Sequence, residues 1–157
     1  MVNINSTSRL SRIKQKVILT QTDTTVGFLS QNGTKLAHIK SRSSNKPFIK
    51  VYRDFKTLQE DGIRIPNRQK KRLRRAKKSS FIINNNSFRV SPFSLHSSIL
   101  RVFTWSYSTS ANESGKNYAR LFCEEKADII VEDKMGLYES DASKLYKINN
   151  SKTVRLR

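Results

Sequence analysis

The amino-acid sequence predicts a single layered α/β domain, and three observations support this prediction. The 157 residues suffice for one buried core and argue against a second independent domain. Hydrophobic residues form 36% of the chain, which is low for a globular protein. The chain nevertheless contains aromatic residues, which a disordered chain lacks. Apolar runs of strand character alternate with runs of helical spacing, which favours strands flanked by helices. We expect residues 1–16 to form a basic arm and residues 17–157 to form the domain.

The first third of the chain contains two predicted strands and a predicted helix. Residues 17–19 are a short β-branched apolar run that is typical of a buried strand, and a hydroxyl-rich loop at residues 22–25 follows it. Residues 36–40 have the apolar spacing of a short helix. Residues 48–53 alternate with period two, which predicts a strand whose start is set by Pro47.

A basic run dominates the middle of the chain. After a weakly predicted helix at residues 55–60, residues 68–78 contain good helix formers but almost no apolar face. We therefore expect a solvated basic helix or a mobile loop that packing does not hold. Residues 81–83 and 88–90 are predicted to be adjacent strands around an Asn-rich turn.

The last third continues the alternation of helices and strands. Residues 94–103 are near helical spacing, and Ser94 is the predicted N-cap of that helix. The remaining predicted elements are a strand at residues 105–109, a helix at 118–123, a strand at 129–131, and a closing pair of strands at 145–148 and 154–156.

The net charge of the chain indicates which kinds of molecule the protein is expected to bind. With 31 Lys and Arg against 12 Asp and Glu, the net charge is +19, which favours anionic partners such as nucleotides, tRNA or acidic lipids. No apolar run reaches the roughly 18 residues that span a bilayer, and residues 1–16 lack the apolar middle of a signal peptide. We therefore expect a cytoplasmic protein without a membrane partner.

Two hydroxyl-rich loops and a basic cluster are the strongest indications of a site. Residues 108–115 form a hydroxyl-dense turn after an apolar stretch, as residues 22–25 do earlier, and Lys40, Arg42 and Lys46 follow the first loop. Together they suggest a pocket for a phosphate and an amino acid. Taken alone, the turn at 108–115 is more often a helix cap, and the cations are more often solvated charges near a helix end.

Single residues give weaker signals. Arg89 lies in an apolar strand, where a charge needs a partner or a ligand. The lone Cys123 has no second cysteine for a disulfide or a zinc site, so we expect it to pack as a small apolar residue. His38 and His96 are too isolated to indicate a metal site or a catalytic triad.

Five segments of the chain occur in an order that matches a known family. They are residues 21–28, the Lys40 and Arg42 pair with Lys46 and Pro47, Arg89, residues 108–115, and residues 143–155. Residues 108–115 read Ser-Thr-Ser-Ala-Asn-Glu-Ser-Gly. This order resembles the YrdC-like family of threonylcarbamoyl-AMP synthases across residues 17–157, apart from a poorly matching middle. Where that family has Trp-Pro-Gly-Pro-Leu-Thr, this chain has residues 74–81 and keeps only the hydroxyl of Ser80.

The resemblance implies a twisted mixed sheet flanked by helices, with a positively charged concave face. It also implies a nucleotidyltransferase, an L-threonylcarbamoyladenylate synthase that joins L-threonine, bicarbonate and ATP and releases pyrophosphate during tRNA modification. A downstream threonylcarbamoyl transferase complex would use the product. Mg²⁺ would arrive with ATP, since no carboxylate cluster is visible in the sequence.

The same resemblance implies a role for each site residue. The chemistry needs positioning and charge neutralisation rather than a covalent protein intermediate, so no catalytic side chain is expected. The expected ATP-binding residues are Lys40, Arg42, Lys46, Ser108, Ser110, Asn112 and Arg155, and the expected threonine-binding residues are Thr22, Ser80, Arg89 and Ser143.

Two other functions fit parts of the sequence. The first is a non-catalytic basic RNA-binding module with the same fold, which the charge and the run at residues 68–78 favour. That run also suggests tRNA contact for the enzyme, although aromatic residues for base stacking are sparse within it. The second is a carbamoyl-phosphate-handling or related nucleotide-binding fragment that shares Lys40 and Arg42. Dependence on threonine separates the three functions.

Overall fold

The computed structural model describes residues 4–41, 47–91 and 95–157, and the predicted residues Arg42, Lys46 and Ser94 lie outside these ranges. The helices of the described chain are α1 (Ile4–Lys14), α2 (Gly33–Ile39), α3 (Phe55–Glu60), α4 (Asn67–Arg75), α5 (Leu95–Phe103) and α6 (Arg120–Lys126). The strands are β1 (Ile18–Gln21), β2 (Val26–Ser30), β3 (Ile49–Tyr52), β4 (Ser79–Ile83), β5 (Asn86–Val90), β6 (Trp105–Ser110), β7 (Ile129–Val131), β8 (Lys144–Ile148) and β9 (Thr153–Arg155).

All these strands belong to one mixed sheet with the order β7-β1-β2-β6-β3-β5-β4-β8-β9. The pairs β1 with β7, β3 with β5, and β4 with β8 are parallel, and the other neighbours are antiparallel. The sheet with its flanking helices confirms the predicted α/β class. None of the helices in the described ranges combines the length and the apolar character needed to cross a lipid bilayer.

Strand β2 is absent from the sequence prediction, which assigned no helix or strand to its residues. All five of its residues are buried, because β1 and β6 flank it and the core covers both faces. A strand buried on both faces shows no alternation of polar and apolar residues. The glycine at position 27 weakens the strand signal further.

The segment predicted as a basic arm contains the 11-residue helix α1. Basic residues Arg12 and Lys14 lie in its last turn, where they complement the negative end of the helix dipole. The carbonyl of Lys14 accepts a hydrogen bond from the backbone N–H of Gln31 at 2.9 Å, which ties the end of α1 to the domain.

Helix α4 is held by packing, contrary to the sequence prediction for residues 68–78. Leu73 is buried in a cluster with Tyr52 and Phe81, and Gln69 is buried beside the β8–β9 turn. The Gln69 amide donates to the carbonyl of Asn149 at 3.3 Å. One leucine and one amide per two turns are thus enough to fix a helix whose other residues are mostly charged.

Strands β4 and β5 form the predicted hairpin around an Asn-rich turn. Asn84 and Asn85 have φ angles of 45° and 65° and connect the paired residues Ile83 and Asn86. Two consecutive residues at positive φ are typical of the tight hairpin turn that best follows the twist of the strands, and asparagine tolerates this conformation well.

Alternation along the strands gives the sheet two faces with different roles. On β5, Phe88 joins the cluster that also contains Leu58 of α3 and Leu73 of α4, whereas Arg89 lies against the polar loops of the opposite face. Adjacent strand residues point to opposite faces, so one strand can serve the core and a site at once. The functional candidates collect on the face away from α3 and α4.

Candidate functional site

A cavity of about 580 Å³ lies on the sheet face away from α3 and α4. Three cations, Lys40, Arg89 and Arg157, line it together with many hydroxyl groups, and no Asp or Glu of the described chain is among the lining residues. The predicted site residues that line it are Thr22, Lys40, Arg89, Ser108, Ser110, Asn112 and Ser143. The chain thus brings distant loops to one cavity suited to an anionic ligand with hydrogen-bonding groups.

Arg89 is the central cation of this cavity, and its side chain is only 8% exposed. Its Nη1 donates to Oδ1 of Asp23 at 2.5 Å and to Oγ1 of Thr24 at 3.3 Å. Its Nε donates to Oγ of Ser80 at 3.3 Å. The partner that a charge in an apolar strand requires is therefore Asp23, on the loop after β1.

Asp23 is not among the predicted site residues, although the sequence contains one signal for it. Asp23 is the only acidic residue among the first 53 positions, so it is the only carboxylate that the β1–β2 region offers to a buried cation. Its Oδ1 pairs with Arg89, whereas its Oδ2 is buried without a hydrogen-bond partner in the described part of the chain.

Ser80 does not line the cavity but contacts residues that do. It is fully buried on β4, and its hydroxyl lies 2.9 Å from the hydroxyl of Ser143, which does line the cavity. The parallel pairing of β4 with β8 brings the two serines together, because it sets Ser80 opposite Leu145. Ser80 thus contacts two residues that line the cavity, Ser143 and Arg89, without lining it itself.

Lys40 lies at the C-cap of α2 and is only 6% exposed. Its Nζ donates to the backbone oxygen of Ser110 at 3.1 Å, the backbone oxygen of Asn112 at 2.5 Å and Oδ1 of Asn112 at 2.6 Å. A lysine ammonium has three donors, and this loop accepts all of them. Lys40 therefore holds the loop in place and puts its positive charge at the cavity wall. This position differs from the direct contact with phosphate that an ATP-binding lysine would make.

The loop at residues 108–115 has further supports. Ala111 is buried, and its backbone N–H donates to the carbonyl of Val26 at 2.9 Å. The carbonyl of Ala111 accepts a contact from Sγ of Cys123 at 3.2 Å. Cys123 is fully buried, which raises the pKa of its thiol, and it packs as the small apolar residue that the sequence predicts.

The loop does not cap a helix, which was the alternative interpretation of its serines. Helix α6 begins at Arg120, beyond the loop, and its N-cap residue Ala119 makes no side-chain capping hydrogen bond. Instead, Oγ of Ser110 donates to Oδ1 of Asn112 at 2.7 Å. The hydroxyl and amide groups are arranged around the cavity.

Gly27 of β2 lies beside the loop at residues 108–115 and also lines the cavity. A Cβ atom there would lie 3.0 Å from Cγ2 of Thr22 and 3.1 Å from the backbone oxygen of Thr109. The second contact is with backbone and is tighter than ordinary packing allows. Glycine therefore permits the close approach of the two hydroxyl-rich loops.

The arginine at the C-terminal side of the cavity differs from the predicted one. Arg155 is exposed on β9 and is not among the lining residues, whereas Arg157 is. Nε of Arg157 donates to the backbone oxygen of Ser143 at 3.1 Å. The prediction selected the arginine inside the terminal strand, but Arg157, beyond that strand, lies against Ser143.

Comparison with known proteins gives a likeness of fold. No protein-family model and no curated protein matches the chain. P. abyssi Sua5 in complex with L-threonine superposes with a TM-score of 0.77 at 16% identity, over 96% of this chain and 52% of that chain. E. coli YciO superposes with a TM-score of 0.73 at 17% identity, over 98% of this chain and 87% of that chain. Full-length HypF in its phosphate- and nucleotide-bound form superposes with a TM-score of 0.72 at 14% identity, over 98% of this chain and 28% of that chain. The chain spans about half the length of P. abyssi Sua5, and its fold is that of Sua5 and YciO.

Proposed function

We propose that the protein is an L-threonylcarbamoyladenylate synthase that forms threonylcarbamoyl-AMP from L-threonine, bicarbonate and ATP. The observation that carries this proposal is the convergence of buried Arg89 and the Lys40-anchored loop on one cavity without a lining carboxylate. The likeness of fold to a Sua5 solved with L-threonine supports the same choice. The product would pass to a threonylcarbamoyl transferase complex that modifies tRNA.

Arg89 would bind the carboxylate of threonine. Its Nε and Nη1 are directed by Ser80, Asp23 and Thr24, whereas Nη2 donates to no acceptor in the described part of the chain. Because Nε and Nη1 are both held by protein groups, the guanidinium presents Nη2 to a ligand carboxylate in a fixed direction. Ser143 and Thr22 line the same cavity and would receive the hydroxyl and amine groups of threonine.

The loop at residues 108–115 would bind the nucleotide. Ser108, Ser110 and Asn112 line the cavity and would contact the α-phosphate and the adenosine. Lys40 would add a fixed positive charge behind them, and Arg157 would take the ATP-binding role that the resemblance implies for Arg155. Arg42 and Lys46 remain proposed phosphate ligands on the segment between α2 and β3. Mg²⁺ would enter bound to the polyphosphate of ATP.

The proposed reaction balances without a protein nucleophile. Bicarbonate loses hydroxide to give carbon dioxide, and the threonine amine forms an N–C bond with that carbon. The nitrogen loses a proton, which combines with the hydroxide as water, and a carbamate is left. A carbamate oxygen then forms a bond to the α-phosphorus, while the bond from that phosphorus to the bridging α–β oxygen breaks and pyrophosphate leaves. Charge gathers on phosphate oxygens during this step, so fixed cations and donors lower its barrier.

Release of pyrophosphate that depends on threonine tests the proposal. Purified protein with ATP, Mg²⁺ and bicarbonate should release pyrophosphate when L-threonine is added, and Ser110→Ala should slow this by about a hundredfold, the usual effect of losing one transition-state donor. Lys40→Ala should abolish it because the loop loses its anchor. Lys134→Ala, on the exposed β7–β8 connection, is the control and should retain the full rate. Release that ignores threonine, or that survives both changes, would reject the enzyme.

The non-catalytic RNA-binding module remains a second candidate, and the three donors of Lys40 favour it. The loop accepts all three hydrogen bonds that the Lys40 ammonium can donate. Lys40 would therefore attract a phosphate group by its charge and would not donate a hydrogen bond to it. RNA binding by a protein without threonine-dependent turnover would select this candidate.

A further inference from the structure

The sheet face opposite the candidate site carries a second concave surface, which the proposed reaction does not use. It is a groove of about 680 Å³ between α4 and the strands β4 and β8. Leu145 of β8 and Ser143, which immediately precedes this strand, line the candidate site, whereas Lys144 and Tyr146 of β8 line the groove. The alternation of side chains along this strand therefore separates two binding surfaces by the thickness of the sheet.

Six cations surround this groove, and we call the surface the α4 groove. Four of them, Arg68, Lys71, Arg72 and Arg75, occupy positions i, i+3, i+4 and i+7 of one helix and so form a continuous stripe. Lys77, which precedes β4, and Lys144, the first residue of β8, add two cations near the start of these neighbouring strands.

None of these cations is neutralised within the described protein. No carboxylate lines the groove, and none of the ten ion pairs of the described residues involves one of its six cations. Residues 62–112 contain eleven Lys and Arg and no Asp or Glu. Like charges at i and i+4 destabilise a helix, so this stripe costs stability without an internal gain. An external polyanion would supply the missing charges.

An aromatic pair forms the floor of the groove. Tyr146 is half-buried and stacks on buried Phe81, with ring centroids 5.8 Å apart and an angle of 23° between the planes. An aromatic ring at the base of a cationic groove is the arrangement with which proteins bind unpaired nucleotides, because the ring stacks on a base while cations follow the phosphates.

We propose that the α4 groove binds a single-stranded nucleic acid segment through its phosphates, with Tyr146 stacking on a base. A membrane surface suits this groove poorly. Helices that lie on membranes need exposed apolar side chains, and none of the exposed large apolar residues of the described chain belongs to α4. The only leucine of the helix, Leu73, is buried in the core.

Oligonucleotide binding measured across a salt series tests the groove. The probes are fluorescein-labelled twelve-nucleotide oligouridine and oligothymidine, followed by anisotropy. The groove variant replaces Arg68, Lys71, Arg72 and Arg75 with glutamine, and the matched control replaces four exposed cations elsewhere, Arg9, Arg101, Lys134 and Lys152. The groove variant should bind at least about tenfold more weakly, and the slope of log affinity against log salt should flatten by roughly 3, at about 0.7 for each lost phosphate contact. The control should lose clearly less.

A second variant separates stacking from charge. Tyr146→Leu keeps the groove cations and should weaken binding by about fivefold or more while leaving the salt slope unchanged. Tighter binding of oligouridine than oligothymidine would assign the groove to RNA, and the reverse to DNA. The proposal is overturned if the control loses as much affinity as the groove variant, or if vesicles of anionic lipid bind with the same dependence on the four cations and oligonucleotides do not.

The groove and the candidate site are tested independently. Because they lie on opposite faces of the sheet, the groove variant should retain threonine-dependent release of pyrophosphate. Loss of oligonucleotide binding with turnover intact supports the groove, and oligonucleotide binding by a protein without turnover supports the groove while rejecting the enzyme. Circular dichroism of each variant shows whether the fold is retained.

Discussion

The candidate site and the α4 groove share strands β4 and β8 but differ in how their cations are exposed and paired. In the site, Arg89 and Lys40 are buried and each is held by several protein acceptors. In the groove, the cations of α4 are mostly exposed and make no ion pair with described residues. Buried, oriented cations suit a small ligand held in one geometry, whereas exposed cations suit a polymer whose phosphates bind in many registers. The two faces therefore differ in how strongly each charge is coupled to folding.

The largest expected effect comes from breaking the buried ion pair of the site. Asp23→Ala leaves Arg89 buried without its carboxylate, and the free energy of unfolding should fall by about 3–5 kcal/mol. Urea denaturation measures this loss. Arg72→Ala, which removes a cation from the α4 groove, should change stability by less than about 0.5 kcal/mol. Equal losses for the two variants would show that the two faces do not differ in the way described.

The second largest effect should come from the apolar anchor of α4. Leu73→Ala leaves a cavity beside Tyr52 and Phe81 and should cost about 2–5 kcal/mol of stability. Because Leu73 lies on the groove face, oligonucleotide binding should weaken while threonine-dependent turnover of the folded fraction is retained. A variant as stable as the original protein would mean that α4 is held by something other than packing.

The smallest effect concerns Asp54, which caps α3 on the groove face. The backbone N–H of Thr57 donates to its carboxylate at 2.8 Å and holds the pKa of Asp54 at about 2, below its ordinary value of 3.8. A lowered pKa in the folded protein stabilises it above pH 4, and this contribution is lost as the pH falls from about 4 to 2. Asp54→Asn should therefore differ from the original protein above pH 4 and converge with it near pH 2, as followed by urea denaturation. A difference that stays constant with pH would contradict this role.

The sequence predicted much of the fold because most strands alternate or are bounded by turn residues. Asn84 and Asn85 marked a hairpin, and Pro47 marked the start of β3. The prediction failed where tertiary burial removes the local signal. Strand β2 is covered on both faces and lacks alternation, and α4 is anchored by Leu73, a single apolar residue within a charged run.

The candidate site was predictable in part for a related reason. The order of the hydroxyl loops, Lys40 and Arg89 led to seven predicted site residues that line the cavity. Pairing between distant segments was not accessible, because no local pattern shows that Asp23 meets Arg89 or that Arg157 lies against Ser143. Lys40 was found by its position, but its three hydrogen bonds to the loop depend on how α2 packs against β2.

Calorimetric titration of L-threonine tests the central claim, that Arg89 forms an amino-acid site on one face of the sheet. The double variant Asp23→Asn/Arg89→Gln replaces the buried ion pair with neutral groups and so avoids an unpaired buried charge. The original protein and the α4 groove variant should bind threonine equally, and the folded double variant should not bind it. Equal binding by all three proteins, or binding by none, would contradict it.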